Sequence, residues 1–389
     1  MEIGILNILD KKDISAERIV LQVREDCNSW AFILFCNTSK DEGCRKSFIF
    51  PNMEIHKGDM ITIYSKRGTE KKQKISNGNI NHILYWKEDN SIWEKNTTAL
   101  LVKVADFTKA YKMNFLFWNI NKKNTSFLFD KISILIQNEH IDVCMLAELD
   151  QADTAKLLHI INSRNGNSYK IVQCLVWKKI VIISKKNIDI STYDESGKRI
   201  GAFKIKSDIF EKEVLLFPIH FYDKKNYDST EQNERIEKIK KFIDDTESRH
   251  GESNLSIVCG DFNLNPFETP MIKTKGMHAV MEKDIAKKGE RIVDGDAYKF
   301  FYNPMWGFYG DNGKGNVSGT YFLQRSLNVE LFWHLLDQVL IRKGLIDYFE
   351  DSQLDIITTI DGNSLLNRNG SINNKDYSDH LPLKFRINI

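Results

Sequence analysis

Residues 256–270, SIVCGDFNLNPFETP, carry polar side chains directly after a short apolar run. Residues 257–259 predict a buried strand, because a short apolar run bounded by turn-forming residues is typical of a strand covered on both faces. Asp261 and Asn263 follow, and we expect both side chains to point the same way because a strand places residues i and i+2 on one face. An Asp or Asn in this place is also typical of an ordinary turn, so its meaning depends on the rest of the chain.

The same pattern, an apolar run that meets a carboxylate, carboxamide or imidazole, recurs along the second part of the chain. A lone example has an ordinary explanation as a turn residue or a core histidine. Strand ends on one edge of an open sheet converge, however, so the repeated pattern predicts a single site. The further members are Asn119 after FLFW, Glu148 after IDVCMLA, His220 after EVLLFPI, Asp337 before QVLI, and Asp379 with His380 in YSDHLPL.

Residues 111–389 alternate between strand-like and helix-like segments, which predicts an α/β sandwich of sheets covered by helices. Ser229 or Thr230 is the expected N-cap of the longest helix, over STEQNERIEKIKKFIDDTES. The other predicted helices are SFLFDKISILIQNEH and QADTAKLLHIINS, and the predicted strands are MNFLFW, IDVCMLA, YKIVQCLVW, KIVIIS, GAFKIK, EVLLFPI, LSIVC and LLDQVLI.

Residues 1–110 show a different rhythm, with short β-branched and aromatic runs between turn-forming residues and no stretch of helical periodicity. Five such runs, ERIVLQV, WAFILFC, KSFIF, DMITIYS and TALLVKV, predict a small all-β sandwich. The cation-rich segment 66–74, KRGTEKKQK, is expected to be a solvated loop.

Composition sets limits on partners and location. The 389 residues suit two domains, and a net charge of +2 indicates no global attraction to nucleic acid or anionic membranes, although a local patch is compatible with it. Charges interrupt the first apolar stretch, which argues against a signal peptide, and no run of about 18 apolar residues predicts a membrane span. The six cysteines form no CxxC pair, so we expect reduced core residues in a cytoplasmic protein.

The motifs WNIN, AELD, PIHF, GDFNLNP, LDQVL and SDHLPL resemble, in sequence and spacing, those of the endonuclease/exonuclease/phosphatase superfamily. The resemblance covers residues 112–389. It implies the deoxyribonuclease I-like fold, a four-layer α/β sandwich, and hydrolysis of phosphoester bonds with a divalent cation, usually Mg²⁺, with Mn²⁺ as an alternative. Ala147 replaces a Gln that many members carry before the metal-binding Glu, and Phe221 replaces a common Leu; neither change removes a ligand.

The resemblance and the chemistry together assign roles to eight side chains. Oxygen ligands suit Mg²⁺, so Glu148, Asn119 and Asp379 are the expected metal ligands. Asp261 matches the aspartate of the family's GDFN motif and is the expected base for the attacking water, while Asn263 donates to a phosphate oxygen. His380 is expected to donate to the phosphate, kept cationic by Asp337. His220 matches a family position that contacts phosphate and is a candidate to protonate the leaving oxygen.

The first region resembles the lamin-tail domain, an immunoglobulin-like sandwich. HKGDMITIYS is followed by Trp86, by Trp93 and by the apolar run 99–102, which is the order of that family's segments. An unrelated β-sandwich with core tryptophans is the alternative. The resemblance implies a module that recruits a nucleic acid substrate or a protein partner.

The substrate remains open between three interpretations. Segment 297–324, AYKFFYNPMWGFYGDNGKGNVSGTYFLQ, should border the cleft by family analogy, and aromatic rings stack on bases, which favours a nuclease acting on DNA or RNA. Packing of those rings against the body of the protein is the structural alternative. An inositol-phosphate phosphatase or sphingomyelinase-like phosphodiesterase is the second interpretation, and a non-enzymatic interaction protein is the third.

Overall fold

The structure is a computed structural model that describes residues 2–38, 44–93, 97–103, 112–174, 177–207, 210, 212–251, 254–324 and 330–389. The chain divides into two compact units, Met1–Thr108 and Lys109–Ile389. Among the described residues, no helix is both long enough and apolar enough to cross a membrane.

The first unit consists of strands in its described part, with a single 3₁₀ turn at Ser29–Ala31. The strands are β1 (Ile3–Leu9), β2 (Arg18–Val23), β3 (Cys27–Asn28), β4 (Phe32–Thr38), β5 (Cys44–Ile49), β6 (Glu54–Ile55), β7 (Met60–Tyr64), β8 (Lys71–Lys74), β9 (Ile80–Tyr85) and β10 (Thr97–Lys103).

Two sheets of this unit share one core. The five-stranded sheet has the order β1-β2-β7-β9-β8 and the three-stranded sheet the order β10-β4-β5. Leu21 and Ile61 of the larger sheet are buried in one cluster with Phe32 and Leu34 of the smaller sheet, together with fully buried Trp93. Buried residues of both sheets therefore pack into one shared core.

The cation-rich segment differs from its prediction. Residues Lys71–Lys74 form β8, an exposed strand antiparallel to β9 at the edge of the larger sheet. Backbone pairing overrides the low strand propensity of lysine here, and lysines on an edge strand oppose pairing with another chain. The prediction of a loop is wrong for these four residues, although their side chains are exposed as expected.

The second unit mixes strands and helices, with 3₁₀ turns at Gln151–Asp153, Pro304–Phe308, Lys343–Tyr348 and Asp351–Gln353. Its elements are β11 (Lys112–Asn119), α1 (Ser126–Asn138), β12 (Val143–Ala147), α2 (Thr154–Arg164), β13 (Tyr169–Ile171), β14 (Ile180–Lys185), β15 (Ile190–Asp194), β16 (Ala202–Ile205), β17 (Val214–His220), α3 (Ser229–His250), β18 (Ser256–Asp261), α4 (Thr269–Ile272), β19 (Ala279–Val280), α5 (Lys283–Ala286), β20 (Glu290–Val293), β21 (Asp296–Lys299), β22 (Phe301–Tyr302), β23 (Tyr321–Phe322), β24 (Trp333–His334), β25 (Asp337–Ile341), β26 (Asp355–Ile356), β27 (Thr359–Ile360), β28 (Asn363–Ser364) and β29 (Leu383–Asn388).

Two large mixed sheets form the body of this unit. The six-stranded sheet has the order β13-β14-β12-β11-β29-β26, and the seven-stranded sheet has the order β15-β16-β17-β18-β25-β22-β19. Each contains a central parallel pair, β11 with β12 and β17 with β18, whose strands are joined by a helix, α1 and α3 respectively. Parallel neighbours need such a crossover, since a tight turn cannot join them.

Burial along β18 shows how the layers pack. Ile257 and Cys259 belong to the core that the two sheets share, whereas Val258 belongs to a second core with Ile236 and Ile243 of α3. The seven-stranded sheet is therefore covered by the other sheet on one face and by α3 on the other. Helices α1 and α2 pack against each other and contribute to the shared core. The mixed sheets covered by helices confirm the α/β prediction.

The N-cap of helix α3 lies one residue before the first predicted cap residue. Asp228 is the N-cap: its carboxylate accepts a hydrogen bond from the Glu231 backbone N–H at 2.8 Å, and the Glu231 carboxylate accepts from the Asp228 backbone N–H at 3.2 Å. This reciprocal pair satisfies two N–H groups that the helix cannot satisfy itself. The expectation of Ser229 or Thr230 is wrong because both residues lie inside the first turn.

Candidate active site

The ends of several strands of the second unit meet around one cavity. Parallel β11 and β12 place Asn119 opposite Ala147, and parallel β17 and β18 place His220 opposite Asp261. Antiparallel β25 begins beside them, with Asp337 opposite Asp261. Rigid neighbouring strands thus bring their terminal side chains together. The cavity measures about 600 Å³, and seven of the predicted site residues line it: Asn119, Glu148, His220, Asp261, Asn263, Asp379 and His380.

Gly260 allows β17 and β18 to lie this close together. Its φ of 152° is rare for residues with a side chain, and a Cβ atom at this position would lie 1.9 Å from the Ile219 carbonyl oxygen. Only glycine therefore fits between the two strands at the point where they enter the cavity.

Asn119 lies between two acidic side chains. Its Nδ2 is 3.1 Å from Asp261 Oδ2 and 3.4 Å from Glu148 Oε1, and its Oδ1 accepts a hydrogen bond from the Asn121 backbone N–H at 3.0 Å. The amide group thus faces the carboxylates. The predicted role of metal ligand needs Asn119 Oδ1 to face these carboxylates, whereas in this structure Nδ2 faces them.

Asn263 reaches the cavity by a different route from the expected one. Strand β18 ends at Asp261, and Asn263 has a left-handed φ of 51°. The Asn263 backbone N–H donates to Asp261 Oδ1 at 2.8 Å, and its side-chain amide donates to the Phe221 carbonyl oxygen at 3.3 Å. The reasoning from a common strand face was wrong, because a turn held by Asp261 places Asn263 in the cavity.

Burial controls the protonation of Asp261, whose side chain has almost no exposed surface. It raises the pKa of the Asp261 carboxyl to about 7; nearby His380 opposes this rise and Asp337 adds to it. A carboxylate with a pKa near neutrality accepts a proton more readily than an ordinary aspartate.

His380 is held by Asp337 behind the cavity wall. Its Nδ1 lies 2.8 Å from Asp337 Oδ2, and the Asp337 backbone N–H donates to Thr320 Oγ1 at 3.1 Å. Burial alone lowers the pKa of His380, but Asp337 outweighs it through its charge and hydrogen bond, with help from Asp261 and Asp379, and raises that pKa to about 10. The imidazole is therefore cationic at neutral pH.

The pKa of His220 is shifted in the opposite direction from that of His380. Its Nε2 lies 3.5 Å from Glu148 Oε1 and 3.8 Å from Asp261 Oδ2. Burial nevertheless lowers the pKa of His220 to about 4, with Glu148 opposing the change. The ring is therefore neutral at pH 7 in this structure, and the role of His220 towards the leaving oxygen stays a prediction.

Asp379 lines the cavity next to Ser378, whose hydroxyl links two segments of the site by hydrogen bonds. Its Oδ1 is 3.4 Å from Ser378 Oγ, which donates to the Asn119 backbone carbonyl at 2.6 Å. The His380 backbone N–H donates back to Ser378 Oγ at 3.2 Å, and Trp118 Nε1 donates to the His380 carbonyl oxygen at 2.9 Å. These bonds join the end of β11 to the segment before β29.

Sequence reasoning missed these supporting residues. Ser378 and Trp118 stand inside the quoted SDHLPL and WNIN motifs, so each motif could have drawn attention to them, but their partners lie about 260 residues away along the chain. Thr320 carries no comparable signal.

The side chains can be tested for their fit to a divalent cation. Glu148 and Asp379 are partly exposed and offer carboxylate oxygens at the cavity surface, which are hard ligands of the kind Mg²⁺ binds. Within the described residues, the ligand atoms of Asp261, Asp337 and His380 also lie within 4.8 Å of one another. In that group, His380 Nδ1 and Asp337 Oδ2 are already joined to each other at 2.8 Å. Glu148 and Asp379 therefore supply the type of oxygen ligand that a divalent cation needs at this cavity.

Segment 297–324 contributes less to the cavity than expected. Most of its aromatic residues pack against the body of the protein: Phe300, Phe301, Tyr302 and Phe308 are buried, and partly buried Tyr309 and Phe322 pack against the core. Tyr321 and Leu323 do line the cavity, and the Tyr321 ring lies 4.9 Å from the His380 ring.

Cys144 and Cys259 lie in the core of this unit, where burial raises the pKa of both thiols.

Comparisons with known proteins give fold-level likenesses. No protein-family model matches the chain, and no curated protein matches it. Among solved structures it is similar to truncated Caenorhabditis elegans TDP2, with 15% identity over 73% of this chain and 100% of that chain and a TM-score of 0.45. It is also similar to an endonuclease/exonuclease/phosphatase family protein from Leptotrichia buccalis, with 15% identity over 71% and 100% of the two chains and a TM-score of 0.44. The endonuclease domain of TRAS1, a telomere-specific non-LTR retrotransposon, shows 14% identity over 71% and 98% and a TM-score of 0.38. Similarity of this extent does not decide function, which depends on the cavity itself.

Proposed function

We propose that this chain is a metal-dependent phosphodiester hydrolase of the endonuclease/exonuclease/phosphatase superfamily, and that it acts as a nuclease on DNA or RNA. The observation that carries the proposal is the cavity itself. Both sheets deliver side chains to it, and it combines partly exposed carboxylates, a buried carboxyl with a pKa near 7 and a cationic imidazole. Hydrolysis of a phosphodiester needs a base for water, donors for the phosphate oxygens and neutralisation of developing charge.

Asp261 is the proposed base. Its Oδ1 is engaged by the Asn263 backbone and its Oδ2 by Asn119, so the carboxyl is held in one orientation at the cavity wall. Because its pKa is near 7, part of the Asp261 population is deprotonated at neutral pH. That carboxylate can take a proton from water.

His380 and Asn263 are the proposed donors to the phosphate. The cationic ring of His380 donates to Asp337 through Nδ1, which leaves its Nε2 proton for an anionic oxygen. Asn263 carries a second amide N–H at the cavity surface. Donors fixed before the reaction stabilise charge that develops on the phosphate. Asp337 acts as a positioning residue, since it does not line the cavity.

His220 is proposed as a neutral hydrogen-bond donor to the substrate. With a pKa of about 4, its ring has one N–H to offer but no additional proton for a leaving group. It therefore orients the phosphate and leaves proton transfer to other groups.

Glu148 and Asp379 would hold Mg²⁺ or Mn²⁺, with the carbonyl oxygen of Asn119 as a third ligand if its amide is turned. A divalent cation in this place neutralises charge on the phosphoryl and leaving oxygens. Because Glu148 lies within reach of Asn119 and His220, it also holds these two side chains in position when no cation is bound.

For the first unit we propose a recruiting role, through an immunoglobulin-like sandwich that resembles the lamin-tail domain. Trp86 and Trp93 pack edge to face at 5.8 Å, and Trp93 is fully buried. The tryptophans therefore serve the sandwich core, which leaves the sheet surfaces for a nucleic acid or a protein partner.

A substrate panel tests the proposed function. The full chain is incubated with single-stranded RNA, plasmid DNA, bis(p-nitrophenyl) phosphate and an inositol phosphate, each with Mg²⁺, Mn²⁺ or EDTA. We expect cleavage of nucleic acid and of the small diester that EDTA abolishes, and loss of both in Asp261→Asn. Phosphate release from inositol phosphate alone would support the phosphatase interpretation, and inertness towards every substrate would reject an enzyme.

A further inference from the structure

Lys122 has an unusual backbone conformation at the edge of the cavity. Its φ of 56° lies in the left-handed region, where the Cβ atom of any residue other than glycine crowds the following carbonyl oxygen. The residue lines the cavity, and its side chain is exposed. A lysine in this conformation therefore needs an explanation, either from the turn that contains it or from the cavity that it lines.

The turn between β11 and α1 imposes this conformation but does not require a lysine. The Lys123 backbone N–H donates to the Ile120 carbonyl oxygen at 3.0 Å, and the Asn124 backbone N–H donates to the Lys122 carbonyl oxygen at 2.9 Å. Asn121 is also left-handed, with a φ of 47°, but asparagine adopts this region several times more often than most residues. Glycine or asparagine at position 122 would form the same turn at a lower cost in free energy.

Two further residues of the cavity share this feature. Glu148 has a φ of 58° and Asn263 a φ of 51°, and the proposed function gives Glu148 a cation to bind and Asn263 a phosphate oxygen. Backbone strain persists at such positions where the side chain is needed for function. The same reasoning applied to Lys122 indicates that its ammonium group serves the ligand of the cavity.

The ammonium group of Lys122 is available to a ligand. In the part of the chain that the structure describes, no carboxylate oxygen lies within 4.0 Å of Lys122 Nζ. Lys123 differs, because its Nζ donates to the carbonyl oxygens of Asn374 and Lys375, the latter at 2.7 Å. Lys123 therefore joins the turn to the segment before β29, whereas Lys122 is free to bind an anion.

Depth within the cavity indicates which part of a substrate Lys122 reaches. Asp261 and His380, which would act on the reacting phosphate, are buried. Lys122 is exposed, so it lies nearer to solvent than these reacting groups. A phosphodiester bound at Asp261 and His380 would extend a substituent towards the edge of the cavity, where the ammonium group attracts an anion.

We propose that Lys122 determines specificity by binding a second phosphate group of the substrate, separate from the one that is hydrolysed. This inference rests on the proposed function and adds a binding residue to it. The ammonium group forms an ion pair with the second phosphate, so a diester that carries this phosphate binds more tightly than the same diester without it. One exposed ion pair corresponds to a change in affinity of up to about fivefold.

Two pairs of chromogenic substrates test the inference with the full chain and Mg²⁺. The first pair is thymidine 5′-(p-nitrophenyl phosphate) with and without a 3′-phosphate, and the second is thymidine 3′-(p-nitrophenyl phosphate) with and without a 5′-phosphate. We expect kcat/KM to be about fivefold higher with the second phosphate in at least one pair, through a lower KM. High salt should weaken this preference, because it screens exposed charges.

Substitution of Lys122 separates its charge from its backbone conformation. Lys122→Asn suits the left-handed turn but carries no charge, so the kcat/KM values within a pair should become about equal. Its urea midpoint should be no lower than that of the wild type, because asparagine relieves the strain. Lys122→Arg keeps the charge and should keep the preference. Lys87→Asn is the matched control and should also keep it, because Lys87 is exposed and left-handed, with a φ of 65°, but does not line the cavity.

Equal kcat/KM within both pairs for the wild-type protein, or a preference that survives in Lys122→Asn, would overturn the inference. The proposed function would then still stand, because the diesters are hydrolysed. A urea midpoint of Lys122→Asn below that of the wild type would contradict the strain from which the inference starts. If the wild-type protein hydrolyses none of the four diesters with Mg²⁺ or Mn²⁺, the proposed function is wrong and the inference with it.

Discussion

His380 Nδ1 and Asp337 Oδ2 lie 2.8 Å apart and join the two large sheets. Asp337 opens β25 of the seven-stranded sheet, while His380 precedes β29 of the six-stranded sheet. Both side chains are buried. A buried, charge-assisted hydrogen bond fixes the orientation of both groups. It therefore also fixes the position of the two sheets relative to each other at the cavity.

Asp337→Asn should lower kcat for a small diester by about 10² to 10³, because removal of a donor to the reacting phosphate has an effect of this size. Without the charge and hydrogen bond of Asp337, the pKa of His380 falls, because burial disfavours the cationic ring. KM should change little, since Asp337 does not line the cavity. Steady-state kinetics check this, and a variant that keeps both the wild-type fold by circular dichroism and the wild-type kcat contradicts the assignment.

Glu148→Gln should weaken Mn²⁺ binding by about tenfold or more, because the exchange removes a charged ligand from a site with few of them. Isothermal titration or electron paramagnetic resonance of Mn²⁺ measures this without reference to activity. Glu282→Gln, an exposed position away from the cavity, is the control. Equal Mn²⁺ affinity in all three proteins would remove Glu148 from the ligand set.

Gly260→Ala should destabilise the protein by several kcal/mol, since its Cβ would lie 1.9 Å from the Ile219 carbonyl oxygen and β17 and β18 would have to move apart. Gly295→Ala separates this clash from the cost of backbone conformation: Gly295 has a φ of 90°, and a Cβ atom there would meet open space, so about 1–2 kcal/mol is expected. Urea unfolding measures both, and similar losses would argue against the steric explanation.

Asp228→Ala should lower the free energy of unfolding by about 0.5–2 kcal/mol, the usual effect of losing an N-cap. Thr230→Ala should have almost no effect, because Thr230 lies in the first turn of α3 and is exposed. Thermal unfolding of the two variants distinguishes the structural cap from the one that the sequence pattern favours. A larger loss in Thr230→Ala would reverse the assignment.

His278 should make stability depend on pH. Its ring packs 4.3 Å from Phe300, and burial lowers its pKa from 6.5 to about 4. A lowered histidine pKa means that the unfolded chain binds the proton first, so stability is complete above pH 6.5 and falls as the pH decreases towards 4. The loss is about 2 kcal/mol at pH 5.

His278→Asn should reduce that pH dependence, and asparagine tolerates the left-handed φ of 51° at this position. Urea unfolding of both proteins at pH 7.5 and pH 5.0 gives the difference directly. If the two proteins lose the same free energy between these pH values, His278 does not titrate as stated.

Local pattern predicted much of this protein, because the site residues stand where strands end. Asn119, Glu148 and Asp261 follow apolar runs that the structure shows as β11, β12 and β18. The local pattern failed for residues whose hydrogen-bond partners are distant in the chain. It also failed for a segment whose secondary structure depends on backbone pairing with another strand. The Ser378 hydroxyl bonds to a carbonyl 259 residues away, and Lys71–Lys74 form a strand only because β9 offers an edge.

Aromatic composition was a poor guide to exposure. Phe301 and Phe308 of segment 297–324 fill the core, whereas Leu331 and Phe332, outside that segment, are each 46% exposed. Composition reports how much apolar surface a segment carries, but only the packing of neighbouring elements decides which part remains accessible.

Strand β29 lies between β11 and β26, with Lys112 opposite Asn388. The first and last strands of the second unit are therefore neighbours, and their pairing closes a loop of more than 250 residues. Contacts this distant form slowly. While the polypeptide is still being synthesised, β11 has no partner on that side, and Asp379 and His380 have not yet been added. We therefore expect the cavity to be complete only after β29 has emerged from the ribosome.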